Sequence, residues 1–238
     1  MGKVERLTHK QIEQAIKRDE FRDFLEGAGH WARNHVESVV IGAVLIAALA
    51  FGGVYYLKTR NESAGKASMQ LASAENQFQR SLSGGPNAAN YASAAGAAFQ
   101  SIKSEFDASP AGIQAELGLA NVAFESGKID EARQSYEAFV RAHSDSLLAP
   151  FAFAASAACL EALNKPSEAA EIYMSLPAKY PKAANAAAAL LDAARMYDAA
   201  GNKAKLKEAV AALGALSAQN RLPEGLKSKV AAMTAKAG

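Results

Sequence analysis

Cysteine is nearly absent. Cys159 stands alone in 238 residues, so no intrachain disulfide can form and no metal cluster can be assembled from thiolates. Its setting, AFAASAACLEAL, is that of a small buried core residue, which suits an oxidising or a reducing compartment equally. Val, Ile and Thr are scarce beyond residue 60, while alanine makes up about a quarter of the chain. Few strand formers beside the best helix former predict an all-α fold. Charge of one sign is missing too: residues 61–238 hold 17 Lys/Arg and 17 Asp/Glu, without the basic footprint of a nucleic-acid binder.

The usual catalytic signatures are also lacking. His9, His30, His35 and His143 belong to no HExxH or zinc-deaminase pattern, and there is no Walker A loop or post-strand GxGxxG. Ser63-Ala64-Gly65-Lys66 fits SxxK, but its SDN and KTG partners are missing. These absences point away from an enzyme, a resident metal or cofactor, and a small-molecule substrate. A membrane-anchored enzyme using Ser63 and Lys66 is the reading from another class.

What is present begins with an apolar run. Ser38–Leu57, SVVIGAVLIAALAFGGVYYL, holds twenty residues without a charge. As a helix it is about 30 Å long, the thickness of a bilayer's hydrocarbon core. Trp31 lies ahead of it, Tyr55 and Tyr56 at its far end, and Lys58 and Arg60 close it. A transmembrane helix is predicted over 36–58, uncleaved because the 35 residues ahead of it exceed a signal peptide's leading region. Ala48 and Gly52 form a small-xxx-small pair that would let another helix approach closely. The head, 1–35, carries an apolar face at Ile12, Ile16, Phe21, Phe24, Leu25, Ala28 and Trp31, fit to lie on lipid or on a partner. Lysine and arginine are balanced across the run, so charge leaves the orientation nearly open.

Beyond the span, 61–82 reads as an amphipathic helix with Ala64, Leu71, Ala74, Phe78 and Leu82 on its apolar face, broken at Ser83-Gly84-Gly85-Pro86. From there the sequence repeats itself. Helix-breaking Gly127, Asn164 and Gly201 are spaced by 37. The same shift aligns Ala120, Ala157 and Ala194. It aligns Ala95, Ala132, Ala169 and Leu206, then Phe99, Tyr136, Tyr173 and Val210, then Ile102, Phe139, Leu176 and Leu213. A fixed period in this range is the mark of a solenoid, here with a small residue where two helices cross and an aromatic filling the gap to the next unit.

Leu119-Ala120, Ala123, Gly127, Ala132, Tyr136 and Phe139 resemble a tetratricopeptide repeat. Ala157, Leu160, Ala169, Tyr173 and Pro181 match a second unit, and Ala193-Ala194, Tyr197, Gly201 and Leu213 a third. The period exceeds the usual ~34, so about three residues lengthen a connection or a helix, and Leu206 and Val210 make the last unit divergent. The resemblance implies a repeat domain over 59–222 and a capping helix over 223–238, opened by Pro223. It also implies a concave groove lined by the first helices. Its matched positions are Leu117, Ala154 and Leu191; Asn121, Ala158 and Arg195; and Phe124, Glu161 and Asp198. Leu117 stands where carboxylate-clamping relatives carry a lysine, so hydrophobic or helix-in-groove capture is expected instead.

The whole layout is similar to the bacterial YfgM-like family. The similarity rests on Arg6-Leu7-Thr8, Asp19-Glu20-Phe21, Phe24-Leu25, Trp31, the span ending in Tyr55-Tyr56, and the Ala-rich repeats. It implies a single-span inner-membrane protein with a cytoplasmic head and periplasmic repeats. The expected partners are Sec translocon subunits, periplasmic chaperones, exported polypeptides and membrane lipid. A scaffold for cell-envelope assembly or division complexes is the alternative.

Overall fold

The computed structural model describes residues 36–219 and 222–237; side chains at 36–48, 54, 56–57 and 60–61 are outside that description. The head and the side chain of Ala48 therefore lie outside the described residues. The chain divides between Glu62 and Ser63 into two units.

Every described element is helical. They are α1 (Val36–Leu82), α2 (Ala88–Glu105), α3 (Pro110–Glu125), α4 (Ile129–Ala142), α5 (Ala149–Ala162), α6 (Pro166–Lys179), α7 (Ala186–Ala199), α8 (Lys203–Ala218), a 3-10 turn at Glu224–Leu226 and α9 (Lys227–Ala237). Among the described residues no helix is long and apolar enough to cross a membrane. In the first unit, Leu49, Phe51 and Tyr55 are exposed and Gly52 has open space around it.

In the second unit, α2 to α8 each pack against their sequence neighbours, and α9 packs on α8 and α7. The 37-residue period is written in the helix boundaries. The helices α3, α5 and α7 end at Glu125, Ala162 and Ala199, and their partners start at Ile129, Pro166 and Lys203. One stop signal recurs between them. Gly127, Asn164 and Gly201 have φ of 77°, 57° and 70°, the left-handed region that glycine and, with a small penalty, asparagine accept. Each closes a Schellman turn. Lys128, Lys165 and Asn202 donate N–H to the carbonyls of Ala123, Leu160 and Tyr197 at 3.0, 2.9 and 2.9 Å, while Gly127, Asn164 and Gly201 donate to Phe124, Glu161 and Asp198. Starts are marked as well: Ser109 Oγ accepts the Gly112 N–H, Asn202 Oδ1 accepts the Lys205 N–H, and Pro110 and Pro166 begin α3 and α6.

The aligned columns form the core. Ala95, Ala120, Ala132, Ala157, Ala169 and Ala194 are buried, as are Phe99, Tyr136 and Tyr173, and Ile102, Phe139, Leu176 and Leu213. Alanine at the crossings lets backbones approach, and the larger residues fill the space between units. Val210 is only partly buried, packed against the rim of the C-terminal cluster. On α1 the buried face is Ala67, Leu71 and Ala74, with Phe78 beside it. Ala64 and Leu82 are exposed. The residues in excess of the usual period sit in the connections: α4–α5 and α6–α7 are joined by His143–Leu148 and Tyr180–Asn185, six residues each, against four at Phe106–Ser109. Pro177 lies inside α6 rather than between helices, with its ring partly exposed.

Candidate functional site

The first helices of the pairs, α3, α5 and α7, carry the three columns expected to line a groove. Leu117 and Ala154 are partly buried, but Leu191 is 6% exposed and belongs to the C-terminal core cluster. It is a packing residue on α7, a helix that α6, α8 and α9 all contact. Phe124 is half-buried beside the cluster around Tyr136.

The polar members are engaged by neighbours within the chain. Asn121 Oδ1 accepts the Tyr136 hydroxyl at 2.7 Å, tying α3 to α4 under the surface. Burial is the main reason the Tyr136 phenol is held well above its ordinary range. The Arg195 guanidinium reaches Asp192 at 2.9 Å and Glu161, one unit earlier, at 3.4 Å. Tyr173 beneath is likewise raised by burial and by the nearby Asp192 and Glu161 carboxylates. Asp198 accepts Lys236 from α9 at 2.7 Å, so the capping helix occupies the last position of its column. The structure thus brings Glu161 and Arg195 together, gives Asn121 and Asp198 partners of their own, and leaves Leu117 and Phe124 as half-buried apolar surface.

Among the described residues no hydrogen bond joins Ser63 to Lys66. The Lys66 ammonium pairs with Glu105 at 2.5 Å and lies over the Phe106 ring at 5.9 Å. Cys159 is fully buried, and burial pushes its thiol up to about 11, far from the thiolate a nucleophile needs.

A second depression was not anticipated from sequence. The connections His143–Leu148 and Tyr180–Asn185 lie side by side and enclose a groove of about 700 Å³ with Asp145, Leu147, Pro150, Phe151, Lys179 and Lys182 among its lining. The Asn185 amide donates to the Pro150 carbonyl at 3.0 Å, joining one connection to the start of α5. Phe153 and Tyr180 meet edge to face at 5.9 Å, and the Lys179 ammonium sits 4.3 Å over the Phe153 ring. The only sequence signal for it was the surplus over the usual repeat length.

Helix pairs with a small residue at each crossing, a left-handed stop between partners and a constant period define an α-solenoid of the tetratricopeptide type. The chain belongs to the family described as a tetratricopeptide repeat-like domain, which matches residues 29–172. No curated protein matches the chain. Among solved structures it is similar to the nearly identical TPR-like repeats described for a kinesin light chain of Podosopora anserina, with TM-score 0.53 and 17% identity over 72% of this chain and 85% of that one. A point variant of the same repeats gives 0.51 at 15%, over 72% and 92%. At such identities the likeness is one of fold. The fold is that of a scaffold for protein–protein interaction.

Proposed function

We propose that the chain is a membrane-anchored scaffold that binds proteins at the exit of the Sec translocon. Residues 36–58 are its anchor, 1–35 a cytoplasmic head, 59–222 the periplasmic repeat domain and 223–238 its cap. The observation that carries this reading is the union, in one chain, of twenty uncharged residues and a protein-binding solenoid with no converging reactive groups at the surfaces described above. Two further features support it. The family match starts at residue 29 and so takes in the apolar run together with the repeats up to residue 172. Leu49, Phe51 and Tyr55 are each more than 60% exposed, the disposition of side chains that face lipid. Ala48 and Gly52 would allow a neighbouring membrane helix to pack there. The half-buried Leu117 and Phe124 surface offers an exported polypeptide transient apolar contact.

Photo-crosslinking from position 124 in living cells tests this. Adducts with Sec subunits, periplasmic chaperones and unfolded exported proteins are expected. Adducts confined to cell-envelope assembly or division machinery would replace the translocon with that machinery. Cytosolic adducts would reverse the orientation.

A further inference from the structure

The repeat domain is poor in exposed large apolar side chains. Past α1, Leu147 and Phe151 are the only two among the described residues, 89% and 48% exposed, and both line the groove between the long connections. Single exposed apolar residues need no explanation, but two in one concave site call for an occupant. The pair is specific to this place: 37 residues on, the same positions are Ala184 and Ala188. The groove also requires two successive six-residue connections. Among the described residues they occur together only here, because the earlier connection, Phe106–Ser109, has four.

The charge at the rim is unequal. Lys179 and Lys182 face Asp145, and among the described residues neither lysine has a carboxylate within ion-pair distance. Lys179 is held over Phe153 instead, its charge steered by the ring rather than neutralised. Around the groove the Asn185–Pro150 hydrogen bond and the Phe153–Tyr180 contact keep the two walls in register, so a ligand meets a preformed site.

We propose that this rim groove is a peptide-docking site for a segment that presents a bulky apolar side chain flanked by acidic residues, the apolar group lying against Leu147, Pro150 and Phe151 and the carboxylates meeting Lys179 and Lys182. The inference rests on the protein-binding reading but not on the membrane reading, and it places binding away from the surface of Leu117 and Phe124.

The test uses the whole chain in mild detergent and two fluorescein-labelled peptides. One has the core Glu-Leu-Glu-Phe-Glu between Gly/Ser flanks, and the other has lysine for each glutamate. Anisotropy is expected to show at least about tenfold tighter binding of the acidic peptide, weakening with salt. Leu147→Ser with Phe151→Ser should cost at least about tenfold in affinity. Lys179→Glu with Lys182→Glu should invert the preference toward the basic peptide, a gain that an unfolded variant could not produce. Equal affinity for the two peptides, no binding, or binding lost on Phe124→Ala but not on the groove substitutions would overturn the proposal. The last of these would leave the protein-binding reading standing at the other surface. Sedimentation showing a dimer that Leu147→Ser dissolves would also overturn it, with a second copy of the chain as occupant. Photo-crosslinking from position 124 decides the wider reading separately.

Discussion

Tyr136 lies where the repeat register, the packing and the polar surface meet, and its replacement should separate their contributions. The ring is 3% exposed within the cluster of Ala120, Phe139 and Cys159, and its hydroxyl donates to Asn121 at 2.7 Å. Tyr136→Ala removes the whole ring from between α3 and α4. Truncating a large core aromatic costs about 3–5 kcal/mol. Tyr136→Phe keeps the ring and removes one hydrogen bond, at about 0.5–1.5 kcal/mol. The lower end applies, because half-buried Asn121 can recover water. For a domain of this size each kcal/mol moves Tm by roughly 2–4 °C. The alanine variant should therefore melt about 6–20 °C below wild type and the phenylalanine variant about 1–2 °C below. Circular dichroism melts of the whole chain in mild detergent measure both. An alanine variant within a degree of wild type would refute the packing register. A phenylalanine variant as damaged as the alanine one would show that the hydrogen bond, not ring volume, holds the unit.

Other substitutions address different links. A Cβ on Gly118 would fall 2.8 Å from the Phe99 ring, so Gly118→Ala should destabilise by about 1–3 kcal/mol in urea titrations. On Gly112 it would meet the carbonyl oxygens of Phe106 and Asp107, fixed backbone that cannot yield as a ring can, so Gly112→Ala should cost more than Gly118→Ala. Arg195→Ala breaks partly exposed pairs with Glu161 and Asp192 and should cost no more than about 1 kcal/mol, read as a Tm shift of a few degrees. Cys159 should resist iodoacetamide until the domain unfolds. Its raised thiol keeps its proton in the folded chain after the unfolded one has lost it, so the stabilising difference is whole below about pH 9 and is lost toward about pH 11. Over that window wild type should lose more Tm than Cys159→Ala, and parallel losses would contradict it.

The solenoid was legible because its information is local and repeated. Gly127, Asn164 and Gly201 signal a break by residue type alone, and their 37-residue spacing fixed the helix pairs before any contact was known. The alanine and aromatic columns followed because a crossing admits only small side chains and a gap only large ones. Surface was harder to read. A column says which face a residue shares, not what reaches it from elsewhere: Asn121 is engaged by Tyr136, Asp198 by Lys236 from α9, and Leu191 is buried in the C-terminal cluster. The groove at Leu147 was hidden for a related reason. Its walls come from two connections a whole unit apart, and loops carry no periodicity to align.

The functional reading depends on where the repeat domain stands relative to a bilayer. A single cysteine at exposed position 144, introduced as Ser144→Cys with Cys159→Ala, reports this directly. Cells with a permeabilised outer membrane are treated with a membrane-impermeant maleimide, and the membranes are then extracted with alkaline carbonate. A periplasmic domain on a spanning helix gives full labelling without lysis, and the protein stays with the pellet. Labelling only after the inner membrane is broken, or release of the protein into the carbonate supernatant, would contradict it.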